Sequence, residues 1–363
     1  MHYRTWMLAL LAVCLIGCYS ELQQAPIAKS AVPEKPKKKK REKPRLPPRE
    51  QARERNFEFT YESTVVGLKP GTTAKIWVPM PLGNAYQLFT LSSSDVPSTG
   101  VDYDSKYGNG YMYFAGEANA EGQIPIKLVY NIRRIEMLPQ DGVAPSAEDR
   151  AKFVGADARV PANDKPFQAV LKGNPPLGTP DEVARALFNA TIAFVSLDKP
   201  ADSKLIGQGD SDWVCESKSS DSIDMHSLFV ALCRGLGIPA RMEFGFVLPK
   251  KPSEEIGPPR AWVVFATERW TAADLYEAKR DPEFANYWLG HIAPNRIAMS
   301  VGRDLRLIPE PAAGPLNYFV YPHVEVDGKT YEQVEHRMSY VDLPEETNGP
   351  GEEPRRVLKR GEE

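Results

Sequence analysis

Residues 220–241 read Ser-Asp-Ser-Ile-Asp-Met-His-Ser-Leu-Phe-Val-Ala-Leu-Cys-Arg-Gly-Leu-Gly-Ile-Pro-Ala-Arg, and this stretch decides the fold. Met225, Leu228, Phe229, Leu232 and Leu236 recur at the helical period, which predicts a helix from near Ser222 to Gly235 with an apolar face. Gly235 and Gly237 end it, and Pro239 forbids its continuation. At its start Ser222 is expected to be the cap, its hydroxyl meeting first-turn N–H groups that lack helical partners.

The reading extends in both directions. Downstream, Arg241 to Leu248 reads as a strand, then a Pro/Lys/Glu loop runs from Lys250 to Pro259. Ala261 to Thr267 is a second strand, Glu268-Arg269 its turn, and Trp270 to Asp274 the strand that pairs back. Upstream, Thr179-Pro180-Asp181-Glu182 is a helix start with a capping box, and Val183, Leu187, Ala190 and Phe194 form that helix's apolar face. Residues 139–178 read as loop. Residues 57–65, 73–81, 109–117 and 123–137 read as short strands separated by turns, the pattern of a small β-sandwich.

The stretch Ser220 to Arg241 resembles the transglutaminase-like superfamily, with Gly237-Ile238-Pro239-Ala240-Arg241 complete. Trp262, the run from Trp270 to Asp274, Asn295-Arg296, Gly302-Arg303-Asp304-Leu305 and Asn317 to Pro322 extend the resemblance over residues 56–335. It implies an α+β fold: an N-terminal β-sandwich followed by a transglutaminase-like (papain-like) α+β domain. It also implies a cysteine nucleophile at the helix start, a histidine two residues before the tryptophan, and an aspartate ending the second strand. Those positions hold Ser222, Arg260 and Asp274 here, and Ser220-Asp221 stands where Gly-Asn is usual.

Two of the three substitutions bear directly on the chemistry. A serine hydroxyl needs a general base within hydrogen-bond reach. Arg260 cannot be that base, because a guanidinium stays protonated at any physiological pH. Asp274, with no imidazole to orient, is expected to pair with Arg260. His226 shares a helical face with Ser222 but belongs to the Asp-Met-His run of the motif, so it is read as a buried supporting histidine. Cys215, seven residues upstream, is read as a packing residue. The expectation is a catalytically inactive protein that binds or scaffolds a peptide or envelope protein through the altered cleft. The alternative is an active peptidase, amidase or acyl-transferase with an unorthodox nucleophile. No phosphate-cradling glycine loop, metal-ligand spacing or aromatic–basic interleaving occurs, so no cofactor, metal or nucleic acid is expected.

The ends of the chain read differently from the middle. Residues 1–18 have a basic start, a short apolar run and a Leu-Ile-Gly-Cys end, which reads as a lipoprotein signal with Cys18 as the lipid attachment site. Tyr19 follows, which favours the periplasmic face of the outer membrane. Residues 19–55 read as a Pro-rich linker with twelve basic and five acidic side chains, a balance of +7. The whole chain carries −3 and Arg4 adds one positive charge, so residues 56–363 carry −11. The body is divided at 56–138 and 139–341, with a disordered tail over 342–363. Cys215 and Cys233 are expected to be unpaired.

Overall fold

The computed structural model describes residues 52–97, 100–139, 141–198 and 204–344. The signal segment, Cys18, the linker through residue 51 and the tail beyond residue 344 lie outside the described residues. The described residues belong to one compact unit.

The described chain opens with β1 (Glu54–Val65), β2 (Thr73–Pro79), β3 (Gln87–Ser94), β4 (Asp102–Tyr103), β5 (Gly110–Glu117) and β6 (Ile124–Ile135). Helices α1 (Ala147–Val154), α2 (Lys165–Leu171), α3 (Pro180–Phe194), α4 (Ser211–Ser217) and α5 (Ser222–Gly235) follow. Then come β7 (Ala240–Val247), β8 (Ser253–Glu255), β9 (Arg260–Ala266) and β10 (Trp270–Ala273). The chain continues through α6 (Leu275–Arg280), α7 (Ala285–Trp288), β11 (Arg296–Val301), β12 (His323–Val326), β13 (Lys329–Thr330) and β14 (Val334–Asp342). The stretch 139–178, read as loop, contains α1 and α2. They are too short for apolar periodicity to reveal them, although Ser146 caps the first by accepting from the Asp149 N–H.

Two five-stranded sheets have the orders β3-β6-β1-β14-β8 and β13-β12-β2-β5-β4, and a four-stranded sheet runs β10-β9-β7-β11. Alternation in β1 sends Phe57, Phe59, Tyr61 and Val65 inward, all fully buried. Each such side chain contributes about 1.5–3 kcal/mol by leaving water. Placed with the second domain on sequence, β12 and β14 instead pair with β2 and β1, so the end of the chain closes the sheets that its beginning opened. Arg53 and Arg55, assigned to the linker, are held in the body. Arg53 pairs with Glu136 and Arg55 with Asp342, each at 2.8 Å.

Helix α5 is buried continuously from Ser222 to Cys233, not along one stripe. Phe229 meets Phe265 of β9 edge-to-face at 5.5 Å on one side and Phe188 of α3 at 6.4 Å on another. A period of 3.6 shows one apolar face; small residues such as Ser227 and Ala231 fill the rest, because α3 and α4 enclose the side away from the sheet.

Candidate active site

Asp221, not Ser222, caps α5. Its carboxylate accepts from the N–H groups of Ile223 (2.7 Å) and Asp224 (3.1 Å). Asp224 reaches back to the Asp221 N–H at 3.2 Å and accepts from Gly207 and Gly209, both at 2.8 Å. Burial, with Asp221 beside it, raises the Asp224 carboxyl above its ordinary range. A carboxylate is an N-cap as good as a hydroxyl, and here the aspartate stands one residue earlier.

Ser222 is therefore free for another task. Its Oγ donates to the carbonyl of Ala261 at 3.0 Å and accepts from the Ala261 N–H at 3.1 Å. The side chain spans from the helix start to β9, and the residue is only 3% exposed. His226 lies one turn on. Its Nδ1 donates to the Ser222 carbonyl at 2.5 Å, and its Nε2 accepts from the Leu275 N–H at 2.9 Å. Those bonds fix one neutral tautomer, and burial, against the pull of nearby Asp274, lowers the pKa. Both ring nitrogens are engaged away from the Ser222 hydroxyl.

Arg260 and Asp274 do not pair with each other. The Arg260 guanidinium lies 4.2 Å from the centroid of the Tyr276 ring and 3.9 Å from Glu277. Asp274 accepts from Arg296 at 2.6 Å, with both side chains buried, and caps α6 through the Glu277 N–H at 3.0 Å. His226 Nε2 stands 3.7 Å from Asp274. Arg296 was quoted on sequence only as part of a motif. The signal that it is a partner is its place at the start of β11, which no spacing within the 220–274 stretch reveals. Tyr276 and Glu277, which hold Arg260, lie in α6, a helix that the sequence reading did not identify.

The neighbouring groups stabilise the frame. Arg303, fully buried, donates to the Gln208 carbonyl, to Asn317 and to Ser227 on α5, so the Gly302-Arg303 motif ties helix to sheet. Trp262 donates to Glu243 at 2.8 Å behind the sheet. Cys215 and Cys233 are free and buried, and burial, with Asp212 adding repulsion, pushes the Cys215 thiol up to about 12. Among the described residues no group of His, Cys, Asp and Glu is arranged to hold a metal ion, and no helix is long and apolar enough to cross a membrane.

A nucleophile, a base and an orienting acid would have to face one another for acyl transfer. Here each position is bonded elsewhere: Ser222 to a backbone, Arg260 to Tyr276, Asp274 to Arg296. The family model of the transglutaminase-like superfamily matches residues 170–275, from within α2 to the first residue of α6, and spans all three. These residues form a transglutaminase-like domain. The chain is 26% identical to an uncharacterized protein of Haemophilus influenzae over 78% of this chain and 90% of that one. A crystal structure of a candidate cysteine protease from Cytophaga hutchinsonii covers 81% of this chain and 93% of its own, at 12% identity and a TM-score of 0.49. The periplasmic domain of TgpA from Pseudomonas aeruginosa covers 67% of this chain and 87% of its own, at 15% identity and a TM-score of 0.31. Within the transglutaminase-like domain, α5, β9 and β10 supply the frame that the sequence resemblance implied.

Proposed function

We propose that this protein is a non-catalytic member of the transglutaminase-like superfamily, lipid-anchored through Cys18 in the cell envelope, that holds a peptide or an envelope protein at the rim of its altered cleft. The observation that carries the reading is the reciprocal pair of hydrogen bonds between the Ser222 hydroxyl and the backbone of Ala261. A hydroxyl committed in both directions, with no imidazole nitrogen free to take its proton, is a strut between helix and strand. Activity by general acid–base catalysis is worth about 10²–10⁴ in rate and has no group to supply it at these positions.

The ligand contact in this reading is Arg260, whose side chain is 26% exposed and stacked on Tyr276, with Arg280 on the same ring at 5.7 Å. A phage-displayed library of linear heptapeptides, panned on residues 49–363, tests it. Enrichment on the wild type that disappears on Arg260→Glu supports the reading. No enrichment contradicts ligand binding and favours a second reading, a purely structural envelope protein, which the burial of Ser222 also suits.

A further inference from the structure

Two guanidiniums and one carboxylate meet around the Tyr276 ring. Arg260 lies 4.2 Å from the ring centroid and Arg280 5.7 Å from it. Glu277 is the carboxylate they share, 3.9 Å from Arg260 and 3.4 Å from Arg280. Both contacts are longer than a strong charged hydrogen bond, which measures about 2.7–2.9 Å. Neither guanidinium makes another ion pair among the described residues. Asp274, the nearest acidic side chain before Glu277 in the chain, does not redress the balance, because Arg296 takes it at 2.6 Å.

The hydrogen-bonding capacity of this pair is also underused. An aromatic ring attracts the charge of a guanidinium but takes up none of its in-plane N–H groups. The Nη1 of Arg260 is buried with no hydrogen-bond partner, so Glu277 offers it an ion contact and nothing more. The Arg260 side chain is 26% exposed and that of Arg280 51%, so solvent reaches both. Resting on Tyr276, Arg260 has already lost much of its freedom, which lowers the cost of fixing it against a ligand.

We propose that this rim selects acidic peptides, with an Asp or Glu side chain of the bound segment pairing with Arg260 and Arg280. The inference rests on the peptide-binding reading above and names the class of peptide. One added carboxylate brings the set to two charges of each sign, and a guanidinium presents parallel N–H donors that fit a carboxylate. A lysine-rich segment would meet two cations at the same place and is disfavoured. The body as a whole is acidic, at −11 over residues 56–363, so its overall field does not attract such a ligand. Selection comes from the contacts at the ring.

The test passes residues 49–363, which leave out most of the basic linker, over three immobilised pools of biotinylated, C-terminally amidated heptapeptides. The pools share uncharged residues at all but two positions, which are Glu in one pool, Gln in another and Lys in the third. The Glu pool is expected to bind about tenfold more tightly than the Gln pool. Arg260→Gln/Arg280→Gln is expected to bring it down to the Gln level. Glu277→Gln removes the competing carboxylate and is expected to tighten binding of the Glu pool, a gain that misfolding cannot produce. Equal binding of the Glu and Gln pools, a preference for Lys, or Glu-pool binding that the double variant leaves intact overturns the inference while peptide binding stands. Glu-pool binding that Glu277→Gln leaves unchanged or weakens also overturns it. No binding by any pool overturns it together with the peptide-binding reading.

Discussion

Asp274 and Arg296 stand 2.6 Å apart with both side chains buried, and Asp274 pairs with Arg296, not with Arg260. The aspartate also caps α6 and lies beside His226. Its retention is explained by what it holds in place. Removing one partner of a buried ion pair leaves an uncompensated charge, which costs about 3–5 kcal/mol. Asp274→Ala is therefore expected to lower the denaturant midpoint strongly. Arg260→Ala, whose ion contact is 3.9 Å and partly exposed, is expected to cost less than about 1 kcal/mol. Equal losses from the two variants would contradict the assignment.

Ser222→Ala removes both bonds to Ala261 and strands a buried N–H and C=O. The expected loss is about 1–3 kcal/mol in chemical denaturation. A neutral result would mean that the hydroxyl is not a strut.

The two thiols in residues 49–363 should be inert. Cys233 is fully buried and Cys215 nearly so, and burial raises both pKa values. At pH 8 a thiol reagent is expected to react slowly with the native protein and to titrate both cysteines after denaturation. Fast reaction of one thiol in the native state would point to a displaced nucleophile.

Glu136 gives the fold an acid limit. Burial alone would raise its pKa, but hydrogen bonds from Arg53 and Tyr287 outweigh that and bring it down to about 2 from an ordinary 4.5. A carboxylate with a depressed folded pKa stabilises the fold fully above its unfolded pKa and loses that contribution as pH falls through the folded one. The loss should fall between pH 4.5 and about 2. In Glu136→Gln, stability at neutral pH is expected to be lower and its decline across that window shallower. Parallel curves for the two proteins would contradict this.

The helix Ser222–Gly235, the capped helix at Pro180, the main strands and the frame around Asp274 were legible because each rests on local periodicity or a stop signal. The partners were not. Arg296 reaches Asp274 from a strand 22 residues away, and β14 closes on β1 across most of the chain, contacts that no local pattern encodes. Ser222 was placed as a cap because serine favours that position, yet Asp221 is one residue nearer the start and takes it. β3 was missed because apolar and polar residues do not alternate along it: Leu88 and Leu91 are both exposed, and three serines end the strand, which reads as loop.

The measurement that bears most directly on the central claim is turnover by residues 49–363 in two assays, cleavage of a peptide mixture and incorporation of an amine into glutamine peptides. The account expects rates equal to buffer for the wild type, unchanged in Ser222→Ala. Turnover above buffer that Ser222→Ala abolishes would contradict it and make Ser222 a nucleophile.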